Sequence, residues 1–338
     1  MYWADRFAYV LRRENITAPV NISSSERVRG KTRVTELQRE LAFKIARFLG
    51  SSENLVTAVP KLTLHQRTVP TAPCPATYEP GVIVVAQGRK EVKFGSKTYI
   101  YDPSHYLLTS IDLPTVSRVV DASDAVPCLA FALKIDIAIV REFLGREEFH
   151  IGDAQPASAA MCTSKTTAEF LNACCRLVDL IDAPEDIPFL SGFIEREIIY
   201  RILRGPEGGR LRAIATVGHK NQRTAKAIAW IKANYSKPLR MEELAEVAGM
   251  AVSTLHHHFR ALTTMSPLQY HKQLRLQAAR ARMLTDDVDA ATVAFEVGYE
   301  SASQFNREYS RFFGQPPIRD IKALLSPDGP KVELVSAH

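Results

Sequence analysis

Two stretches near the C-terminus repeat one local pattern, and that repetition constrains the fold more than anything else in the chain. MEELAEVAGMAVSTLHHHFRALT runs from Met241 to Thr263, and ATVAFEVGYESASQFNREYSRFFG runs from Ala291 to Gly314. Each predicts a short amphipathic helix, a turn at a glycine (Gly249 or Gly298), and a second helix. In that second helix Leu255 and Phe259, or Phe305 and Tyr309, share one face by their i, i+4 spacing. A single hairpin of this kind is a common way to pack two helices. Two in tandem, joined by one longer helix, predict a pair of helix-turn-helix units and a bipartite surface for double-stranded DNA.

Charge is distributed in keeping with that surface. The formal net charge is +6, and residues 220–322 hold 15 Lys and Arg against 10 Asp and Glu, a net +5. A basic excess concentrated on the repeat fits an electrostatic footprint on phosphate. No stretch approaches the roughly 18 uninterrupted apolar residues of a membrane span, and Asp5, Arg6, Arg12, Arg13 and Glu14 do not form a secretory leader. The expectation is a cytoplasmic protein without a membrane partner. Five cysteines, none in a CxxC arrangement, argue against a disulfide framework or a structural zinc, and adjacent Cys174 and Cys175 read as buried apolar side chains.

The chain is long enough for two domains. Residues 1–33 are polar and aperiodic and are expected to form a disordered lead-in. Thr35 to Leu49, with Leu37, Leu41, Ile45 and Phe48, predicts an amphipathic helix. From Leu62 to Lys134 the pattern becomes short β-branched and aromatic runs: LTLHQRTV, GVIVVAQG, KEVKFG, KTYIYDP, HYLLTS, TVSRVV and PCLAFALK. Gly81, Gly88, Gly95 and Asp102-Pro103 punctuate them at the spacing of a small jelly-roll barrel of the cupin type. GVIVVAQG is apolar on both faces and should be a central strand. Helical spacing returns over Ile137 to Leu144, Ser164 to Ile181 and Phe189 to Leu203. The apolar face of the second of these could cover the barrel or form a dimer seam. The fold class expected is therefore α+β in two domains: a cupin-like barrel with flanking helices over residues 34–204, then an all-α domain over 223–324. Residues 205–222 read as a Gly- and Pro-punctuated linker, with LRAIA as its helix-compatible part, and 325–338 as a tail.

The C-terminal residues carry a resemblance to a known family. AKAIAWIKANYSKPLRMEELAEVAGM, the connecting SPLQYHKQLRLQAAR, and VGYESASQFNREYSRFFGQPP resemble the DNA-binding domain of AraC/XylS family bacterial transcription regulators. Ala58 to Leu144, with TAVPKLTLHQ, YEPGVIVVAQGRK, YIYDPSHYLL and SIDLP, resembles the cupin-like N-terminal domain of a subgroup of that family. The resemblance implies a regulator whose first domain senses a small molecule or mediates homodimerisation, and which meets RNA polymerase if it is an activator.

With Leu255 and Phe259 inward, Ser253, His256, His257 and Arg260 point outward. The resemblance places Ser253, His256 and His257 at base-reading positions and Arg260 on the DNA backbone. In the second unit Ser303, Gln304 and Arg307 form the base-reading set, with Asn306 and Arg311 on the backbone. Gln suits adenine and Arg suits guanine in bidentate pairing. His256, His257 and His258 do not make a metal site, because consecutive helical positions turn about 100° from one another and no His sits four residues away. A long helix from Pro267 to Leu284 should set the spacing of the units, with Leu268, Leu274, Ala278 and Ala281 inward and Lys272, Arg275, Arg280 and Arg282 outward.

An enzyme is the rival class, since cupins often hold catalytic metals. His65 and His105 stand forty residues apart, neither in an HxH pair, and no Gly-rich phosphate loop or GxSxG elbow occurs. No cofactor, catalytic residue or metal ligand is therefore expected. His65, Tyr78, Gln87, Tyr106 and Arg118 are the candidate lining of an effector pocket, and Arg89, Lys90, Lys93 and Arg118 would suit an anion. A constitutive dimeric DNA-binding regulator without ligand is the second reading, and a cupin enzyme with a DNA-binding tail the third.

Overall fold

Alternating buried and exposed side chains shape the N-terminal half into two facing sheets. The computed structural model describes residues 24–325 apart from Ser96 and residues 147–159, 207, 216–219 and 287. Its strands are β1 (Asn54–Val56), β2 (Leu62–Arg67), β3 (Cys74–Tyr78), β4 (Gly81–Gln87), β5 (Arg89–Phe94), β6 (Lys97–Tyr101), β7 (His105–Thr109), β8 (Leu113–Asp121), β9 (Cys128–Lys134) and β10 (Met161–Lys165). One sheet runs β1-β2-β9-β4-β7-β10 and the other β3-β8-β5-β6, with the pairings antiparallel. β4 pairs with β7 and β9 and is buried almost throughout, as its two-faced apolarity predicts.

The helices flanking the barrel are α1 (Ser24–Leu49), α2 (Ile137–Leu144), α3 (Ala168–Asp179), α4 (Ile187–Arg204) and α5 (Gly208–Ala215). α1 starts within the expected lead-in, because the amphipathic pattern from residue 35 is continued toward the N-terminus by polar but helix-compatible residues. Residues 1–23 lie outside the described residues. α3 begins at Ala168, capped by Thr167, and not at Ser164, because Met161–Lys165 pairs with β7 as a strand. Its apolar face is used within the chain: Phe170 stacks on Tyr106 at 4.7 Å, and Leu171, Cys174, Leu177 and Val178 are buried with α1, α4 and the larger sheet. Part of the expected linker is α5, which packs on α2 and α4, so its first half belongs to the barrel domain.

The C-terminal half comprises α6 (Lys220–Ala233), α7 (Met241–Ala248), α8 (Val252–Thr263), α9 (Pro267–Thr285), α10 (Ala290–Glu296), α11 (Ala302–Phe313) and α12 (Pro317–Leu325). α7 with α8 and α10 with α11 are the two hairpins. Gly249 and Gly298 sit at their turns with φ of 60° and 93°. A Cβ on Gly298 would lie 2.0 Å from the Ser236 carbonyl oxygen, so close packing requires glycine there as well as conformation. Ser266 and Gln269 close a reciprocal capping box at the start of α9. The tail expected from residue 325 falls at the end of α12, and 326–338 lie outside the described residues.

α9 departs from its expected facing. Leu268 is 51% exposed, whereas Arg280 is buried. Arg280 donates from Nε and Nη2 to Asp320 of α12 at 2.7 and 2.9 Å, and Tyr309 donates to the same carboxylate at 2.7 Å. Arg275, also expected outward, is half-buried and donates to the carbonyls of Tyr235, Ser236 and Lys237. Both arginines satisfy carbonyl or carboxylate oxygens, which is what makes their burial tolerable.

The two halves are in direct contact. Tyr270 donates to the Asp112 carbonyl at 2.9 Å, Lys232 pairs with Asp112 at 2.8 Å, and Gln277 meets Thr77 and the Thr115 carbonyl. The Ala160 amide donates to the Leu262 carbonyl at 3.3 Å, near the end of α8. A Cβ on Gly95, at the β5–β6 turn, would lie 2.0 Å from Thr264 Oγ1.

Candidate nucleic-acid interface

A helix that reads bases must show polar side chains on one face and be anchored on the other. On α8, Leu255 and Phe259 are fully buried, and Ser253, His256, His257 and Arg260 are exposed on the opposite side. His258 is half-buried with its ring edge-on to His257. On α11, Phe305 and Tyr309 are fully buried, while Ser303, Gln304, Asn306, Arg307 and Arg311 are exposed. Asn306, Arg307 and Arg311 share a shallow surface hollow with Ala290 and Ala291, at the start of α10. The sequence-predicted reading residues are thus brought together within each unit, and α9 touches both α8 and α11.

The two units are held differently. α11 opens at Ser301, whose side chain accepts from the Gln304 amide, and α10 opens at Asp289, which accepts from the Ala291 and Thr292 amides. α8 follows Ala251 and has no side-chain cap. Gln304 donates to Glu308 at 3.2 Å, and Glu308 accepts also from Lys272 of α9 and from Tyr299. Burial works to raise the Glu308 carboxyl, but Lys272, Gln304 and Tyr299 outweigh it and hold it below the usual range. Glu308 therefore restrains the Gln304 side chain from behind. Sequence reasoning passed over it, although its i, i+4 spacing from Gln304 was a usable signal.

Of the expected effector residues, two line a common cavity. A space of about 480 Å³ opens at the barrel mouth among β2, β4, β9 and the end of β3. His65 and Tyr78 line it, as do Lys61, Thr63, Lys90 and Lys134. His65 also contacts Asn54 and Thr63 at 3.0 Å. Gln87, Tyr106 and Arg118 are elsewhere, and for each the strand-face assignment fails for a definite reason. Tyr106 points to the helical layer, against Phe170. Gln87 donates to the Pro127 carbonyl at 2.8 Å beside an irregularity in the β4–β9 register. Arg118 stands on the outer face of the smaller sheet, paired through both Nε and Nη2 with cross-strand Glu91. Arg89 likewise pairs outside with Asp121.

An antiparallel barrel under a layer of helices, bonded to a double helix-turn-helix with two exposed polar faces, defines a two-domain protein of the helix-turn-helix class. A family model described as the AraC-type transcriptional regulator N-terminus matches residues 58–210, and one described as a helix-turn-helix domain matches 244–322. Through these two matches the chain is similar to AraC-type transcriptional regulators in both of its halves. It is 26% identical over 132 residues to the HTH-type transcriptional regulator ArgR of Pseudomonas aeruginosa, covering 39% of this chain and 40% of that protein. It is 29% identical over 100 residues to the HTH-type transcriptional activator RhaS of Pectobacterium carotovorum, covering 30% and 36%. The chain thus matches well under half the length of either relative. Its fold is similar to that of ToxT from Vibrio cholerae, with a TM-score of 0.52 at 12% identity, covering 78% of this chain and 99% of that one.

Proposed function

We propose that this protein is a sequence-specific, DNA-binding transcription regulator that reads two successive major-groove subsites with each protomer. The observation that carries this reading is the pair of exposed polar faces, on α8 and α11, both anchored to α9. Ser253, His256 and His257 would meet bases in one subsite and Ser303, Gln304 and Arg307 in the other. Arg260, Asn306 and Arg311 would hold phosphates. Successive major grooves lie about 34 Å apart on one side of the duplex. Footprinting of the full chain on retained genomic fragments should show two protected stretches about one turn apart per protomer. A single short stretch would contradict the reading.

The barrel is the site of modulation. The cavity at its mouth, of about 480 Å³, falls within the range of roughly 300 to 1,000 Å³ usual for small-molecule sites. This favours an effector-responsive regulator over a constitutive one. A non-enzymatic, cytoplasmic homodimer, joined through the domain of residues 34–204 and contacting RNA polymerase if it activates, completes the proposal. The surroundings of the two barrel histidines also speak against a cupin enzyme. His65 is engaged with Asn54 and Thr63 at the cavity, and His105 contacts Ser104 at 2.8 Å outside it.

A further inference from the structure

A glutamine amide carries a carbonyl oxygen and an NH2 of nearly equal size, and a solvated one turns freely to present either toward a base. Gln304 is exposed on α11 but tethered, because its Nε2 donates to Glu308 Oε1 at 3.2 Å. Lys272 of α9 donates to the same oxygen at 2.7 Å, and Tyr299 donates to Oε2 at 2.9 Å. Burial by itself favours the neutral acid, but Lys272, Gln304 and Tyr299 together hold the carboxyl below its usual range, so Glu308 is ionised at neutral pH. An ionised carboxylate can only accept. The NH2 of Gln304 must therefore face Glu308, with its carbonyl oxygen turned away.

We infer that Glu308 is a positioning residue for base readout, fixing the Gln304 amide so that the second unit selects adenine at one base pair and rejects guanine; this rests on the two-subsite reading above. With one N–H committed to Glu308, Gln304 presents its carbonyl oxygen and its other N–H. Adenine offers the matching pair in the major groove, a donor at N6 and an acceptor at N7. Guanine offers two acceptors, and its O6 would stand against the Gln304 oxygen. A cytosine N4 donor satisfies only half of the pair, and a thymine O4 repels the oxygen.

The arrangement belongs to the second unit alone. Aligning Leu255 with Phe305 and Phe259 with Tyr309 sets Thr254 and His258 of α8 opposite Gln304 and Glu308 of α11. The first unit thus has neither the amide nor the carboxylate at these two positions. Lys272 and Tyr299 hold Glu308 from α9 and from the segment between α10 and α11, so the carboxylate that sets the amide is itself fixed at both oxygens.

The test is a binding selection with the full chain on a randomised duplex, at neutral pH and one fixed salt concentration. Gln304→Ala identifies the base pair concerned, as the one whose preference it erases. The wild type should prefer adenine to guanine there by about tenfold, the discrimination of one bidentate pair. Glu308→Gln keeps the shape but can donate as well as accept, so the amide is free to turn and the adenine preference should largely vanish. Overall affinity should hold or rise, because a negative charge has left a surface that faces phosphates. Glu308→Asp keeps the charge but withdraws the carboxylate by one methylene. It should lose the preference too, and it decides the matter should Glu308→Gln not fold. A uniform change in affinity with the preference intact would mean that Glu308 only bridges to Lys272, and would overturn the inference. So would a sharper preference in Glu308→Gln, which would mean that Glu308 holds Gln304 away from the base, or a preferred base other than adenine. The wild-type footprint separates the two readings: sequence-specific protection with no base pair answering to Gln304→Ala sinks only this inference, and absent protection sinks the regulator reading itself.

Discussion

Arg307 stands exposed on α11, one turn from the Gln304 that Glu308 restrains. A guanidinium in that position suits the O6 and N7 acceptors of guanine. Arg307→Ala is expected to weaken specific binding by about 1 to 3 kcal/mol and to relax preference at one base pair, measured by binding to a randomised site. Undiminished, equally selective binding would show that the second unit does not read bases. His271 offers a different residue-level test. Burial, reinforced by the nearby Arg275 and opposed by the Tyr235 and Lys237 carbonyls, lowers its pKa from 6.5 to about 4. The unfolded chain therefore takes up a proton between pH 6.5 and 4 that the folded chain refuses. Stability from this group is intact above pH 6.5 and should fall by about 1.4 kcal/mol per pH unit through that window. Urea titrations at pH 7 and pH 5 should show the loss, and His271→Gln should reduce it. An unchanged pH dependence in that variant would remove His271 as its cause. The outward facing of Ser253, His256, His257, Ser303, Gln304 and Arg307 was legible from the i, i+4 relation of Leu255 to Phe259 and of Phe305 to Tyr309. Arg280 was not. Its partner Asp320 lies forty residues away on another helix, and local spacing cannot distinguish a buried paired arginine from a solvated one.

At the scale of elements, α11 and α12 are joined to α9 through the one carboxylate of Asp320. Arg280, Tyr309 and Gln315 all donate to it, and Arg280 and Asp320 have side chains only 8% and 3% exposed. Burial, with the Asp320 charge adjacent, pushes the Tyr309 phenol well up, so it stays a donor at any working pH. Asp320→Asn leaves the Arg280 charge buried without its counterion and should cost about 3 to 5 kcal/mol. Tyr309→Phe removes a hydrogen bond to a charged acceptor and should cost about 1.5 to 3 kcal/mol. Chemical denaturation of the second unit measures both, and a loss below about 1 kcal/mol for Asp320→Asn would mean that the pair is solvated. Legibility differed by element for related reasons. The seven runs with strong β-branched or aromatic content became β2 and β4 to β9. β1, β3 and β10 escaped notice: Asn54–Val56 is only three residues long, Cys74–Tyr78 contains Pro75, and Met161–Lys165 runs into a segment whose spacing reads as helix from Ser164. Each takes its place from a strand partner distant in sequence, which no local pattern reports. The loss of β3 mattered most, because it carries one wall of the cavity and the support of α9.

For the whole molecule, the division of the core runs across the division into domains. Among the described residues, the buried apolar side chains form three clusters. One joins α1, α3 and α4 to the outer face of the larger sheet. A second runs without a break from the barrel interior, through Val92, Phe94 and Leu107, into the first DNA-binding unit at Leu244, Leu255, Phe259 and Tyr270. The third, with Leu276, Met283, Val293, Phe305 and Tyr309, is the second unit's own. α9 passes from one to the other, contributing Leu274 to the second cluster and Leu276 to the third. Elements that share a packed core tend to open together. Native-state hydrogen exchange should therefore find α7 and α8 opening with the barrel, and α10 and α11 opening separately at lower free energy. If α7 and α8 instead exchange with α10 and α11 while the barrel strands stay protected, the second cluster is not a cooperative unit. The shared core ties α7 and α8 to the barrel, and α9, which contributes to both clusters, is the element through which the second unit is joined to that core.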